Sequence, residues 1–510
     1  MTGPDTASQR IRAWINPGIV ALLAASFWPF ANFINQNRGS YFSLNWILIY
    51  FAMVAAIFIC LTAVIGALTR KPFARVAAPF AAFIVLFFCY GAMRQAIPGP
   101  PKFIIYIWLA IVVLACALAW LASRHQKASA ALLAALLVLV ALPTASYLKF
   151  IAGTLAAARA QAHLYPAALV RKPNIYFMIL DAYARADTLK EALGFDNQPF
   201  IDEVRKLGFF VPERSVSNYP ATNLSVSSIL SLDYLEAALS LDREVQFRRE
   251  LLGHNVVVEK LKAEGYRYIV VPSGIWTKIS CGGQEDVCIE KTRALEMERA
   301  LLSLTPLRLI SEKTAFRKLL RSSAEDYLEP RDLLGPLADP LAGTPSPFFA
   351  LIHFGGIHDQ IYTADCAKGT TGSVTLRNRE LADRYTYAVH CTNEQLLLVL
   401  KTIIARDPNA VVVMTGDHGP YIVLDHPWDP TRLWGIHSRE EYRNQYGTMT
   451  GIRLPASCRG LLSDDHYAVN DFRIVFACLS DSKPALLANQ AYYFYPDEKR
   501  VEPIAPEFMK

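Results

Sequence analysis

The sequence predicts a five-helix transmembrane N-terminal domain followed by an α/β domain with a mostly parallel central sheet. Three observations carry this expectation. Residues 1–153 contain five long apolar runs without charge, whereas the rest of the 510-residue chain alternates short apolar runs with amphipathic stretches. The chain is 53% hydrophobic and only 19% charged, against about 25% charged in ordinary soluble domains. The deficit lies almost wholly in the first part. This composition excludes a wholly cytosolic enzyme, a disordered protein and a small disulfide scaffold. A net charge of +6 with no long basic run excludes nucleic acid as a partner.

The apolar runs lie at 17–34, 43–69, 76–93, 103–123 and 128–148, each near or above the ~20 residues a helix needs to cross the hydrocarbon core. The first lacks a cleavage site and is followed by further spans, so it reads as an anchor rather than a signal peptide. An odd number of spans puts the two chain ends on opposite sides. One set of loops carries Arg10, Arg12, Arg70, Lys71, Arg75, Arg124 and Lys127; the other carries only Arg38, Arg94 and Lys102. Basic loops favour the cytoplasm. The expected topology is therefore N-terminus inside and C-terminal domain outside a bacterial-type cytoplasmic membrane, facing the periplasm. No span has an acidic or basic residue in its interior, which disfavours a transport pathway. The five helices read as an anchor that can also cradle a lipid.

Three cysteines, Cys60, Cys89 and Cys116, fall in spans, and six fall in the exported part. An even number in an oxidising compartment predicts disulfides. Pairing of sequence neighbours (281–288, 366–391, 458–478) is the simplest of 15 arrangements. A zinc cluster is the alternative, though no C-x-x-C spacing is present.

Residues 154–173 read as a juxtamembrane helix or linker, and 174–510 as one α/β domain. Strands are expected at 174–180, 266–271, 348–354, 410–415 and 473–479, with helices at 198–207, 255–264 and 378–405. That alternation gives a sheet covered by helices, with ligands beyond the carboxyl ends of its strands. Those ends carry chemistry. The first strand ends in Asp181, the strand AVVVMT in Gly416-Asp417-His418-Gly419, and FFALIHF leads to His358-Asp359. A hydroxyl-rich loop, Ser217 to Ser225, lies between the first two strands. Carboxylate oxygen with imidazole nitrogen suits Zn²⁺ or Mn²⁺ better than Mg²⁺ or Ca²⁺. A threonine hydroxyl such as that of Thr222 needs a metal or a base to become a nucleophile. An Asp at a strand end is often only a helix cap, and Asp-His-Gly often only a turn, so the constellation rather than any one residue carries the reading.

The order N-I-x-x-x-x-L-D, S-N-Y-x-x-T-x-x-S, P-F-F-x-x-x-H…H-D and T-G-D-H-G resembles the alkaline phosphatase superfamily. The layout is similar to its sulfatase-like membrane branch, which includes lipoteichoic acid synthase and the phosphoethanolamine transferases. The resemblance implies that Asp181, Thr222, Asp417 and His418 hold one divalent metal, Mn or Zn. It makes Thr222 the nucleophile, with Ser225 shaping its loop. It places His358 on the substrate phosphate or leaving group, and Trp276 and Lys278 in a headgroup pocket. His426, His437 and His466, in polar stretches, are candidates for a second metal or a headgroup contact, and His466 is taken as substrate-binding. His353, inside a strand, reads as a core residue or as support for the site; His254 and His390 read as surface or structural.

The implied activity is transfer of a phospho-headgroup, of phosphoglycerol or phosphoethanolamine type, through a phospho-threonine. The donor is a membrane phospholipid and the acceptor a glycan or lipid-glycan. A membrane-anchored phosphodiester or sulfate-ester hydrolase of the same superfamily is the alternative, phosphodiester being favoured, and a scaffold without activity is the third reading. Two departures matter. The C/S-x-P-S-R motif of arylsulfatases is replaced by Thr222-Asn223-Leu224-Ser225, which disfavours sulfate esters. Asp181 stands where lipoteichoic acid synthases have Glu, which leaves transfer against hydrolysis open. Oligomeric state has no signature in the sequence.

Overall fold

The structure is a computed structural model and describes residues 16–38, 44–162, 168–235, 250–273, 279–282, 284–291, 296–311, 327–369, 375–423, 438–495 and 500–509. The chain folds as two compact units.

The first unit is helical. α1 (Pro17–Gln36), α2 (Leu44–Thr69), α3 (Phe73–Ala96), α4 (Pro101–Ala122) and α5 (Gln126–Ala162) contain the five expected spans. All five are long and apolar enough to cross a membrane. Their outward faces stay apolar, with Leu68, Val113 and Leu142 exposed, as lipid rather than water as solvent allows. α1 begins with Asn16, whose side chain caps Gly18, followed by Pro17 at the first helical position. α5 continues past its apolar part into the stretch read as a juxtamembrane helix. The same unit includes residues 296–311. Met297 and Leu301 pack with Phe30, Phe33 and Ile47, and the Gly91 amide donates to the Leu304 carbonyl at 2.9 Å.

The second unit is the α/β domain. In chain order its main elements are β1 (Ile175–Leu180), α6 (Gln198–Lys206), β2 (Arg214–Val216), α7 (Thr222–Ser231), α8 (Val256–Ala263), β3 (Arg267–Val271), β4 (Val287–Cys288), β5 (Phe348–Phe354), α9 (Arg379–Arg406), β6 (Val411–Gly416), α10 (Arg439–Tyr446), β7 (Thr450–Arg453), β8 (Asp465–Tyr467) and α11 (Asp471–Leu479). The central sheet has the order β4-β3-β5-β1-β6-β7. Every pairing is parallel except the last, β6 with β7. β1 alternates strictly. Tyr176, Met178 and Leu180 enter one apolar layer with α6 and α9, and Ile175, Phe177 and Ile179 enter the other with α7, α8 and α11. Burial on both faces explains why these strands read as unbroken apolar runs.

One element differs from the sequence expectation. Residues 473–479 form helix α11, not a strand. The apolar window hides a helical stripe: Phe472, Val475, Phe476 and Leu479 recur at the 3–4 residue spacing of one helix face, and all are buried. The cysteines pair as sequence neighbours, Cys281–Cys288, Cys366–Cys391 and Cys458–Cys478, and the three cysteines of the spans are free.

Candidate active site

Register brings the chemistry together. Leu180, the last residue of β1, is paired with Phe354 on one side and Gly416 on the other. Asp181 therefore leaves the sheet between the loop that carries His358 and the loop that carries Asp417 and His418. These are the carboxyl ends of three adjacent parallel strands, where α/β sheets bind ligands.

Asp181 and Asp417 are fully buried, His418 nearly so, and His358 partly exposed. Ligand atoms of Asp181, His358 and His418 all lie within 4.8 Å of one another. His418 Nε2 is 3.5 Å from Asp181 Oδ1 and 3.8 Å from Asp417 Oδ2. Its Nδ1 lies 2.9 Å from the Gly419 carbonyl, which favours a proton on Nδ1 and leaves Nε2 to face the carboxylates. Asp417 divides its oxygens. Oδ1 accepts from the Ala182 and His418 amides, both at 3.0 Å, while buried Oδ2 has no hydrogen-bond partner among the described residues. Two buried carboxylates in one small space are costly without a cation. The oxygen and nitrogen donors suit one divalent ion of the Zn or Mn kind.

The backbone around Asp181 is held in an uncommon conformation. Ala182 has φ 60°, a left-handed value that costs a non-glycine residue about 1 kcal/mol. Its amide donates to Asp417, and its carbonyl accepts from the Tyr385 hydroxyl at 2.6 Å. The same hydroxyl accepts from the Ala184 amide at 3.0 Å. Next to it, Tyr183, Asn197 and Asn393 close a buried ring of hydrogen bonds. Burial raises the hydroxyl pKa of Tyr183 and Tyr385, so both remain neutral donors. Gly416 permits close packing here, since a Cβ would stand 2.5 Å from the Tyr183 carbonyl. Sequence reasoning misses all of these supports. Ala182, Tyr385 and Asn393 have no local signature, because their roles depend on contacts between distant segments.

Thr222 is the first residue of α7, 5% exposed, and its hydroxyl makes no hydrogen bond to the described residues. The Leu224 and Ser225 amides bond to the Ala221 carbonyl, while those of Thr222 and Asn223 precede any intrahelical acceptor. A helix start of this kind favours an anion. The Ser225 hydroxyl donates to the Tyr219 carbonyl at 2.8 Å, inside the loop it is expected to shape. The Tyr421 hydroxyl, four residues beyond Asp417, donates to the Pro220 carbonyl at 2.7 Å and ties this loop to the Asp-His-Gly segment.

His353 Nε2 lies 3.2 Å from Asp181 Oδ2, with both residues fully buried but without the geometry of a hydrogen bond. His466 is not among the clustered ligands. It is 3% exposed and its Nε2 is 2.6 Å from Asp471 Oδ1, a buried pair beside the start of α11. Trp276, Lys278, His426 and His437 lie outside the described residues. His390 is exposed on α9, beside Glu394 at 3.5 Å.

The profile of the sulfatase family matches residues 174–448, more than half of the chain. Among solved structures, the chain is similar to the periplasmic domain of EptC from Escherichia coli, crystallised with Zn. Identity there is 14%, covering 66% of this chain and 96% of that one, with TM-score 0.42. It is also similar to the integral membrane lipooligosaccharide phosphoethanolamine transferase A of Neisseria meningitidis, with 11% identity, 91% and 95% coverage and TM-score 0.38. For the lipoteichoic acid synthase LtaP of Listeria monocytogenes the figures are 10%, 64%, 79% and 0.37. No curated protein matches. With the profile covering every strand end that carries the acid–imidazole cluster, the chain belongs to the sulfatase family.

Proposed function

We propose that the protein is a metal-dependent transferase that moves a phospho-headgroup from a membrane phospholipid, through a phospho-threonine on Thr222, to a hydroxyl of a glycan or lipid-glycan. The observation that carries this reading is the cluster of buried Asp181, Asp417 and His418 with His358 at its rim, and an unengaged hydroxyl at the helix start that Tyr421 ties to it. Asp181, Asp417, His418 and Thr222 would hold a Zn²⁺ or Mn²⁺ ion, which when bound lowers the pKa of a hydroxyl and offsets phosphate charge.

In the first step the Thr222 oxygen, its proton lost to solvent, attacks phosphorus; the P–O bond to diacylglycerol breaks as the new P–O bond forms. His358, at the exposed rim of the cluster, gives the departing alkoxide its proton. In the second step the acceptor hydroxyl passes its proton to His358 and attacks phosphorus as the bond to the Thr222 oxygen breaks, and the freed Thr222 alkoxide takes its proton back from solvent. The first-turn amides of α7 face the developing negative charge. The five apolar helices suit a donor that lies in the bilayer, and the excess of basic residues in one set of loops supports a reading with the α/β domain on the outer, periplasmic side of a cytoplasmic membrane.

The test is peptide mass spectrometry of the detergent-purified protein after incubation with mixed phospholipids and Mn²⁺ or Zn²⁺. An adduct on Thr222 is expected, and its mass names the headgroup. Release of free phospho-headgroup into water at full rate without acceptor would make the protein a hydrolase. Full activity in Thr222→Ala would overturn the covalent mechanism.

A further inference from the structure

We infer that the α/β domain carries a second anion-binding pocket, separate from the acid–imidazole cluster, that takes a phosphate monoester borne on a saccharide-sized body. The pocket is a cavity of about 450 Å³ between β2, α10, β8 and the last described residues of the chain. That volume lies in the range of small-molecule sites. None of Asp181, Thr222, His358, Asp417 or His418 lines it.

Four arginines line this cavity against two carboxylates, Glu440 and Asp465. Arg185 is spent on structure, since its three nitrogens bond Asp187 and the Ser215 carbonyl. Among the described residues, two of the other three keep donors in reserve. Among the described residues Arg214 bonds only through Nε, to Asp465 at 2.5 Å, and Arg439 only through Nε, to the Glu507 carbonyl at 2.8 Å. Arg443 bonds Glu191 through Nη1 and has its Nε buried, so it contributes wall and charge rather than a free edge. Planar guanidinium forks with free edges match the oxygens of a phosphate.

Aromatic walls supply the rest. The buried hydroxyls of Tyr442 and Tyr467 stand 3.2 Å apart. One donates to the other, so the second proton has no described acceptor and is available to a ligand oxygen. With Phe508, these rings present apolar faces of the kind that cover the C–H faces of a sugar, while the arginines take the charge.

The pocket is mechanically joined to the reaction centre. Val216 in its wall directly precedes the Ser217–Ser225 loop, and the Ser217 amide donates to the Tyr446 carbonyl at 2.8 Å. At the end of the same helix, α10, the Gln445 carbonyl accepts from the Gly419 amide at 2.7 Å. The inference does not rest on the transferase reading; any reaction at the cluster leaves it intact.

The test is isothermal titration of the full-length, detergent-purified protein with glucose 6-phosphate and, separately, inorganic phosphate. Each is repeated on Asp417→Asn and on the double variant Arg214→Gln/Arg439→Gln. Saturable binding of the sugar phosphate is expected, unchanged in Asp417→Asn and weakened about ten-fold or more in the double variant through loss of charge-assisted bonds. If the double variant does not fold, Tyr467→Phe must weaken binding several-fold, since it removes a hydroxyl and keeps the ring. Absence of binding overturns the inference, as does binding lost in Asp417→Asn but kept in the arginine variant, which would place the phosphate at the cluster. Equal affinity for inorganic phosphate and the sugar phosphate overturns the saccharide part.

Discussion

The Tyr385 hydroxyl of α9 donates to the carbonyl of Ala182, at 2.6 Å, and thereby fixes the left-handed residue whose amide holds Asp417. A phenol more than 200 positions along the chain thus sets the geometry of an acid at the neighbouring strand end.

Tyr385→Phe keeps the ring and removes both hydroxyl bonds. The Ala182 carbonyl and the Ala184 amide are left buried without that partner, at a cost of about 1–3 kcal/mol for each group. The expected outcome is a lower unfolding midpoint together with reduced metal content, because Ala182 no longer fixes Asp417. An unchanged midpoint with full metal would remove Tyr385 from this role. Calorimetry and elemental analysis of one preparation read both.

Asp417→Asn is the direct probe of the cluster. The amide oxygen can still accept from Ala182 and His418, so the loop keeps its bonds, while an NH₂ replaces the oxygen that now has no partner among the described residues. Bound metal is expected to fall at least about ten-fold, as losing a charged ligand implies, with little loss of fold. Elemental analysis after gel filtration decides it; full occupancy would exclude Asp417 as a ligand.

How far the sequence reveals this arrangement depends on the range over which each signal acts. Asp181, His358, Asp417 and His418 stand at the ends of apolar runs, so they are legible as residues at one edge of a sheet. Residues 473–479 mislead because a short apolar run does not state its period, and Phe472, which completes the helical stripe, lies outside the window. The left-handed Ala182 and its support by Tyr385 have no local mark at all. Nor do residues 296–311, which pack with the helical unit although they form no apolar span. His466 has the polar sequence context of a site residue, yet its imidazole is engaged by Asp471.

Acid sensitivity follows from Asp187. Burial pushes its carboxyl up, but the hydrogen bonds and charge of Arg185, with the Thr188 amide, outweigh this and hold it below the ordinary aspartate value. A lowered folded-state pKa gives stability that is present above the unfolded value of about 4 and is lost as pH falls through the folded one. Arg185→Gln is therefore expected to lower stability at neutral pH and to flatten its decline below about pH 4. Unfolding midpoints measured from neutral pH down to about pH 3 check this; parallel curves for the two proteins would contradict it.

The bridge between Cys366 and Cys391 separates stability from chemistry. It closes a loop with a sequence separation of 25, and its second cysteine lies on α9, six residues after Tyr385 and two before Asn393. Loop closure of this size contributes about 3 kcal/mol by restricting the unfolded chain. Cys391 is itself buried, so replacement by Ser also places a hydroxyl in an apolar cluster with Ile361 and Ala388. Cys366→Ser/Cys391→Ala avoids that burden. The double variant is expected to unfold at lower denaturant while keeping its metal, because Tyr385 and Asn393 are still held by their own bonds to Ala182, Ala184 and Tyr183. Loss of metal in step with stability would mean that the bridge, rather than those bonds, fixes α9 against the Asp181 loop.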